Sequence, residues 1–161
     1  GSEMEVNYPE KPVHDGVRMG IDAFLDWETE NNPEYLASEE VIYYANPRKP
    51  THDFCGTLDV RFRMGKDLCL GDFKTSKRVN FDHFIQLALY AIAVEQINKK
   101  EKVKWLYVFR LPKEVTDKPH GRFQCKRVKF TPTLRRIAKD VNRLKHDQVE
   151  TKRAIGKQRY K

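Results

Sequence analysis

The fold is decided by residues 54–74, which read FCGTLDVRFRMGKDLCLGDFK. Two runs in this stretch, 54–64 and 67–74, look like strands, and the first contains the β-branched and aromatic residues that strands favour. Gly65 and Lys66 separate them, and glycine in the first central position is what a two-residue type II′ turn prefers. The stretch therefore predicts a β-hairpin with its loop at these two residues.

The turn also fixes the register of the hairpin. If Met64 pairs with Asp67, then Asp59 lies directly opposite Asp72, and opposite residues project from the same face. One face is then expected to form core and the other to be polar: Leu58, Val60, Phe62, Cys69 and Phe73 on the first, Thr57, Asp59, Arg61, Asp72 and Lys74 on the second. Two facing carboxylates repel each other, and a divalent cation such as Mg²⁺, which one or two carboxylates typically hold, would relieve that repulsion.

The elements around the hairpin follow from periodicity and from their end signals. We expect a helix over 13–31, a strand over 40–45, a helix from the N-cap Asn80 to about residue 98, strands over 103–111 and 122–130, and a basic helix after Thr131-Pro132 with Leu134, Ile137, Val141 and Leu144 buried. This order predicts an α/β fold in which helices flank a mixed central β-sheet. The 161 residues suit one domain, 1–161, with an N-terminal extension over 1–12 and a basic, mobile tail over about 152–161.

Charge is distributed unevenly along the chain. Residues 1–50 carry eleven acidic and four basic residues, a balance of −7, so residues 51–161 carry +15 of a chain total of +8. Such polarity favours a basic surface for a polyanion such as DNA, although a solvated helix face and tail would look the same. Without an apolar run of membrane-spanning length or a signal peptide, we expect an intracellular protein that is not secreted and has no membrane partner. The three dispersed cysteines predict reduced thiols, without a disulfide framework or an iron–sulfur cluster.

The predicted acidic pair suits phosphodiester hydrolysis. A metal ion lowers the pKa of a bound water and neutralises charge on the phosphate as the water attacks. Lys74 lies two residues after Asp72 on the same side of the strand. It could orient the water, stabilise the developing charge or act as the base, and the sequence leaves these roles open.

Three ordered motifs resemble those of RecB-type PD-(D/E)XK nucleases, a family with a restriction-endonuclease-like core. They are Gly56-Thr-Leu-Asp59, Gly71-Asp-Phe-Lys-Thr-Ser76 and Gln86-Leu-Ala-Leu-Tyr90, which correspond to G-x-x-D, D-x-K-T and Q-x-x-x-Y. The resemblance implies that Asp59, Asp72 and the backbone carbonyl of Phe73 bind Mg²⁺ or Mn²⁺. It also implies catalytic roles for Lys74, Gln86 and Tyr90 beside the two aspartates. Glu39 is a further candidate metal ligand, with Glu40 as its rival.

The chain departs from the family pattern in one respect, since the metal-binding His that many relatives place in the N-terminal helix is absent. We therefore expect fewer protein ligands to the metal. Four basic residues near the hairpin, namely Arg61, Arg63, Lys77 and Arg78, are candidate DNA contacts or a solubilising rim. The resemblance favours a metal-dependent deoxyribonuclease, most simply an exonuclease in DNA repair, recombination or viral DNA processing, acting on single-stranded or duplex ends with a protein partner or as a homo-oligomer. The alternatives are a structure-selective endonuclease and a non-catalytic DNA-binding module.

Overall fold

The computed structural model describes residues 15–114 and 121–158. Its elements, in chain order, are α1 (Asp15–Asn31), β1 (Glu34–Tyr44), a 3-10 turn (Pro50–His52), β2 (Phe54–Met64), β3 (Asp67–Lys74), α2 (Phe81–Ile97), β4 (Val103–Arg110), β5 (Gln124–Lys129) and α3 (Pro132–Gly156). None of the helices in the described ranges is long and apolar enough to cross a membrane.

The five strands form one sheet in the order β1-β2-β3-β4-β5. Neighbouring strands are antiparallel except β3 and β4, which are parallel because α2 carries the chain back across the sheet between them. The predicted fold class is therefore confirmed: three helices flank a mixed sheet.

Apolar side chains cover the sheet on both faces. On one face α1 packs Phe24 against a mainly aromatic cluster: Val60, Phe62, Cys69, Tyr107 and Phe109. On the other face α2 and α3 cover the larger cluster, which includes Leu58, Leu70, Leu87, Leu106 and Ala138. Full burial of one such leucine stabilises the fold by about 1.5–3 kcal/mol, so these two layers hold the hairpin firmly in place.

The hairpin itself has the predicted turn and the predicted register over its closed half. Gly65 has a φ of 61°, and Lys66 is not among the described residues with positive φ, as a type II′ turn requires. The pairs run from Met64–Asp67 to Val60–Gly71.

The prediction that one face of the hairpin is core is confirmed for Val60, Phe62, Cys69 and Phe73, whereas the prediction that the other face is polar was wrong. Leu68, Leu70 and Asp72 are two residues apart and therefore share one face of β3. Both leucines are buried beneath α2 and α3. Leu58 also belongs to that second layer, not to the layer of Val60 and Phe62. The reason is tertiary, because helices cover both faces of the sheet and bury side chains on each side of the hairpin.

Two element boundaries and the burial of one residue also differ from the predictions. Strand β1 begins at Glu34, well before residue 40, and contains a bulge between Tyr35 and Ala37. Helix α3 continues to Gly156, through much of the segment expected to be a tail. Leu144, predicted to be buried, is 58% exposed, because α3 extends past the sheet and only its first half packs on α2.

Candidate active site at the open end of the hairpin

The candidate site lies where β2 and β3 part. Within the described residues their ladder ends at Val60–Gly71, whereas β3 stays paired with β4 as far as Lys74–Arg110. The backbone N–H of Phe73 consequently lacks a strand partner on the β2 side, and it donates instead to Oδ2 of Asp59 at 2.7 Å. The Asp59 carboxylate thus takes the place of a backbone carbonyl of the ladder and keeps the two strands apart. We call this point of separation between β2 and β3 the fork.

Asp59 and Asp72 meet at this fork. Asp72 is only 6% exposed, although it carries a carboxylate. Burial raises the pKa of the Asp59 carboxyl to about 7, helped by hydrogen bonding and repulsion from Asp72 and opposed by the Phe73 N–H and by Lys74. The two acids therefore share their site at a cost that grows when both are ionised.

The third group at the fork is Lys74. Its Nζ lies 2.8 Å from Oδ2 of Asp72, an ion pair in which the carboxylate is almost fully enclosed. Oδ2 of Asp72 is nevertheless a buried oxygen that accepts no well-aligned hydrogen bond from any described residue. Beside its ion pair with Lys74, this oxygen therefore keeps capacity for an electron-pair acceptor such as a cation.

Helix α2 supplies the next two groups. Lys74 Nζ donates to Oε1 of Gln86 at 3.3 Å, and Nε2 of Gln86 donates to the hydroxyl of Tyr90 at 3.1 Å. The four-residue spacing places Gln86 and Tyr90 on the same helix face. Burial, together with the Asp72 charge, raises the pKa of Tyr90, so its hydroxyl stays protonated as a hydrogen-bond donor.

Gly56 explains why the first motif begins with glycine. A Cβ at this position would lie 2.5 Å from the hydroxyl oxygen of Tyr90 and 2.9 Å from its ring. The absence of a side chain at this position of β2 lets the Tyr90 ring approach the strand closely. The sequence motif is therefore a packing requirement that positions the Gln86–Tyr90 pair.

The donor set suits a hard divalent cation. Asp59 and Asp72 offer carboxylate oxygens, one of which is a buried acceptor without a hydrogen bond, and cations such as Mg²⁺ bind such oxygens while keeping several waters. In the described ranges no group of three or more His, Cys, Asp or Glu side chains forms a metal-binding cluster. A cation here would take two aspartates and complete its shell from backbone oxygens and water.

The two glutamates of β1 are placed differently. Glu39 is exposed and has a φ of 50°, a left-handed conformation for a residue within a strand. Glu40 instead pairs with Arg61 through two bonds of 2.9 and 3.2 Å. Phe73, the other predicted ligand, faces the site through its N–H, and the role predicted for its carbonyl stays a prediction.

The four predicted DNA contacts fall into two groups. Arg61 and Arg63 form ion pairs with Glu40 and Glu101, the latter at 3.3 Å. Lys77 and Arg78 are exposed in the loop directly after Lys74. The exposed pair is thus better placed to meet a phosphate than the two paired arginines.

Sequence reasoning missed Arg110 at the end of β4. Its side chain is 1% exposed and donates to the Ser76 carbonyl at 3.3 Å, to the Gln124 amide oxygen at 3.1 Å and to the Arg122 carbonyl. Burial lowers its pKa. This guanidinium ties the loop after Lys74 to the start of β5, and the only signal was a lone arginine ending an apolar strand.

His83 was missed as well. Asn80 N–H donates to its Nδ1 at 3.1 Å in a capping box that begins α2. Burial lowers the pKa of His83, and the nearby Lys74 ammonium lowers it further. The spacing Asn80-x-x-His83 was the available signal, since residue N3 of a capping box folds back onto the N-cap.

Comparison with known proteins gives structural likeness without sequence likeness. No protein-family model matches the chain, and no curated protein matches it. Among solved structures it is similar to SSO0001 (16% identity, TM-score 0.44, 80% of this chain), and it spans 58% of the length of that protein. It is also similar to LHK-Exo, an alkaline exonuclease from Laribacter hongkongensis (12% identity, TM-score 0.37), and to LHK-Exo in complex with dAMP (13%, 0.38), covering 86% of this chain and 72% of that one in both cases.

Proposed function

We propose that this protein is a metal-dependent deoxyribonuclease of the PD-(D/E)XK superfamily, of RecB type. The observation that carries the proposal is one continuous chain of contacts across the open hairpin. It runs from the Asp59 and Asp72 carboxyls through Lys74 to Gln86 and Tyr90. All three motifs that the sequence offered contribute to this chain, and a merely solvated surface would gain nothing from burying facing carboxylates.

Lys74 is the group best placed to act on a phosphate. Its ammonium is held between Asp72 and Gln86, at 2.8 and 3.3 Å, so it is fixed at the rim of the acidic pair. From there it can orient an attacking water and stabilise the charge that develops on the phosphate oxygens. Gln86 acts as a positioning residue, because its amide contacts the lysine and is itself anchored by Tyr90.

Asp59 and Asp72 are the proposed ligands of Mg²⁺ or Mn²⁺, with the Phe73 carbonyl as the backbone ligand and Glu39 as an outlying one. The cation, when bound, would lower the pKa of a water and neutralise charge on the phosphate. The aspartates must both be ionised to hold it, and the raised pKa of Asp59 means that this costs free energy until the cation arrives.

Exonuclease action on DNA ends is the proposed mode, and structure-selective endonuclease action is the alternative. Exposed Lys77 and Arg78, next to the site, are the proposed phosphate contacts. The whole of 1–161 is proposed to serve as a single nuclease domain, with a protein partner or a second copy of the chain helping to grip the DNA end.

The test uses end-labelled single-stranded DNA, linear duplex and closed circular duplex, each with Mg²⁺, Mn²⁺ or EDTA. An Asp72→Asn variant removes one proposed ligand at constant size. Asp67→Asn is the matched control, since Asp67 lies on the same strand but pairs with Lys104 at the closed end. Metal-dependent loss of linear DNA only, abolished by Asp72→Asn and kept by Asp67→Asn, supports the exonuclease. Cleavage of closed circular DNA would favour endonuclease action over exonuclease action. Binding of DNA without cleavage in either metal would overturn the proposal that the protein is an enzyme.

A further inference from the structure

A groove of about 370 Å³ opens directly beside the candidate site. Gln86 and Tyr90, the last two groups of the contact chain, form part of its wall. Its lining also includes Phe54, Ile85 and Leu89, which give it an apolar floor, and Lys145 of α3. The groove therefore adjoins the candidate site through Gln86 and Tyr90 and is bounded by β2, α2 and α3.

The chemistry of this lining is unlike that of a phosphate site. It contains one acidic residue, Asp82, and one lysine, Lys145, so its formal charge is close to zero with His83 neutral. Its floor offers apolar and aromatic surface, with Phe54 stacked on Tyr44 at 4.9 Å. A planar, uncharged heterocycle fits such a surface, whereas a phosphate would remain poorly neutralised.

We infer that this groove binds an unpaired nucleobase of the strand being cut, one nucleotide from the scissile phosphate. The inference rests on the proposed function and adds a specificity to it. With the phosphate at the aspartate pair, the adjoining sugar leads past Gln86 and Tyr90 into the groove, and Lys145 meets the next phosphate. A base can enter only when it is unstacked and unpaired, so the protein selects single-stranded DNA or frayed ends over intact duplex.

Cys55 allows the groove to be probed without any catalysis. Its thiol is exposed and lines the groove, whereas Cys69 is buried. Burial raises the pKa of Cys69 to about 12 and that of Cys125 to about 11, so both react slowly with alkylating reagents. N-phenylmaleimide should therefore modify Cys55 selectively.

The first experiment measures the rate of that alkylation in the Asp72→Asn protein with and without a five-nucleotide oligothymidylate or a blunt twelve-base-pair duplex. We expect saturating oligothymidylate to slow the reaction about tenfold and the duplex to change it less than twofold. Equal protection by both DNAs, or none by the oligothymidylate, overturns the inference. Because no cleavage is needed, protection of Cys55 together with a wild-type protein that cleaves no DNA in either metal would refute the nuclease and leave the groove intact.

The second experiment uses lysines on the same helix. Lys145→Glu is expected to raise KM for single-stranded DNA about three- to tenfold without a comparable fall in kcat. Lys152→Glu carries the same charge change at an exposed α3 position that does not line the groove. An equal rise in KM for the two variants would mean that Lys145 attracts DNA only through its general charge. That result would overturn the groove as a binding site.

Discussion

The two ends of the β2–β3 hairpin are built by opposite rules. At the closed end the backbone ladder is complete, and the charged side chains point outward to partners, such as Asp67 with Lys104 at 3.2 Å. At the open end the ladder stops, Asp59 accepts a strand N–H, and Asp72 is buried with its charge facing the interior. The same hairpin therefore exposes its charged groups at one end and buries them at the other.

The incomplete strand pair is itself a feature of the candidate site. Backbone groups freed by the fork need partners, and carboxylates that supply them are held in fixed positions. Fixed, dehydrated carboxylates are costly for folding but well organised for binding a cation.

The largest expected difference lies between the two lysines that pair with β3 aspartates. Lys74→Met should lower kcat for DNA cleavage about 100- to 1000-fold, because a charge directed at the reacting phosphate is lost. Lys104→Met should leave kcat within about twofold and cost at most about 1 kcal/mol of stability, since its pair is exposed. Single-turnover cleavage and thermal unfolding measure both quantities. An active Lys74→Met protein would remove the lysine from the proposed mechanism.

Two glycines sharpen the same contrast. Gly56→Ala forces the new Cβ to within 2.5 Å of the Tyr90 oxygen, so we expect about 1–3 kcal/mol of destabilisation and a displaced Gln86–Tyr90 pair. Gly65→Ala meets no atom within 4 Å but keeps a φ of 61°, which costs about 1 kcal/mol.

Urea unfolding gives the stabilities, and cleavage rates separate the two positions. Activity should fall in folded Gly56→Ala protein and persist in Gly65→Ala. Full activity of Gly56→Ala would show that the close approach of Tyr90 does not matter for the site.

The acidic pair predicts a pH dependence of stability without metal. A folded-state pKa of about 7 for Asp59, above its unfolded value, means that the folded protein holds this proton more tightly. The stabilisation is therefore complete below the unfolded pKa and is lost as pH rises toward 7. Asp59→Asn should raise the melting temperature at pH 8 in EDTA by about 2–4 °C and flatten this part of the profile.

Asp53, just before β2, provides a control of opposite sign. A hydrogen bond from Tyr43 lowers the pKa of Asp53, so stability from this group is lost as pH falls and Asp53→Asn should flatten the acidic limb only. In wild-type protein Mg²⁺ should raise the melting temperature more at pH 8 than at pH 5. If the melting temperatures of wild type and Asp59→Asn in EDTA depended on pH in the same way, the raised pKa of Asp59 beside Asp72 would be contradicted.

The smallest expected effects concern DNA affinity. Lys77→Ala should weaken binding two- to fivefold and reduce the slope of log affinity against log salt by about one. Arg63→Ala should change the slope little, because its charge already pairs with Glu101 near the closed end. Fluorescence titrations with DNA at several salt concentrations measure both slopes. A larger change in slope for Arg63→Ala than for Lys77→Ala would indicate that the DNA passes nearer to the turn of the hairpin.

Local signals predicted much of this structure. The hairpin bounds and turn followed from Gly65-Lys66, and the start of α2 followed from Asn80. Four-residue spacing placed Gln86 and Tyr90 on one side of the helix, where the hydrogen bond between them now lies. Each of these inferences depends on neighbours within a few residues, where propensity and periodicity suffice.

The remainder depends on contacts between distant segments. The burial of Leu70 requires α2 and α3 to cover that face, which alternation within β3 does not reveal. The Arg110 contacts join β4, the loop after Lys74 and the start of β5. The early start of β1 was hidden because it is a sheet edge with exposed polar positions, and strand propensity alone is weak there.

That edge strand has a consequence for how the protein behaves in a crowded solution. Val41, at 77% exposed, and Tyr43 lie on β1, and an exposed apolar edge strand invites pairing with strands of other molecules. The bulge after Tyr35 and the left-handed Glu39 interrupt the row of amides that such pairing would need. A backbone irregularity beside Asp59 thus also protects the chain against edge-to-edge aggregation, at a conformational cost of about 1–2 kcal/mol.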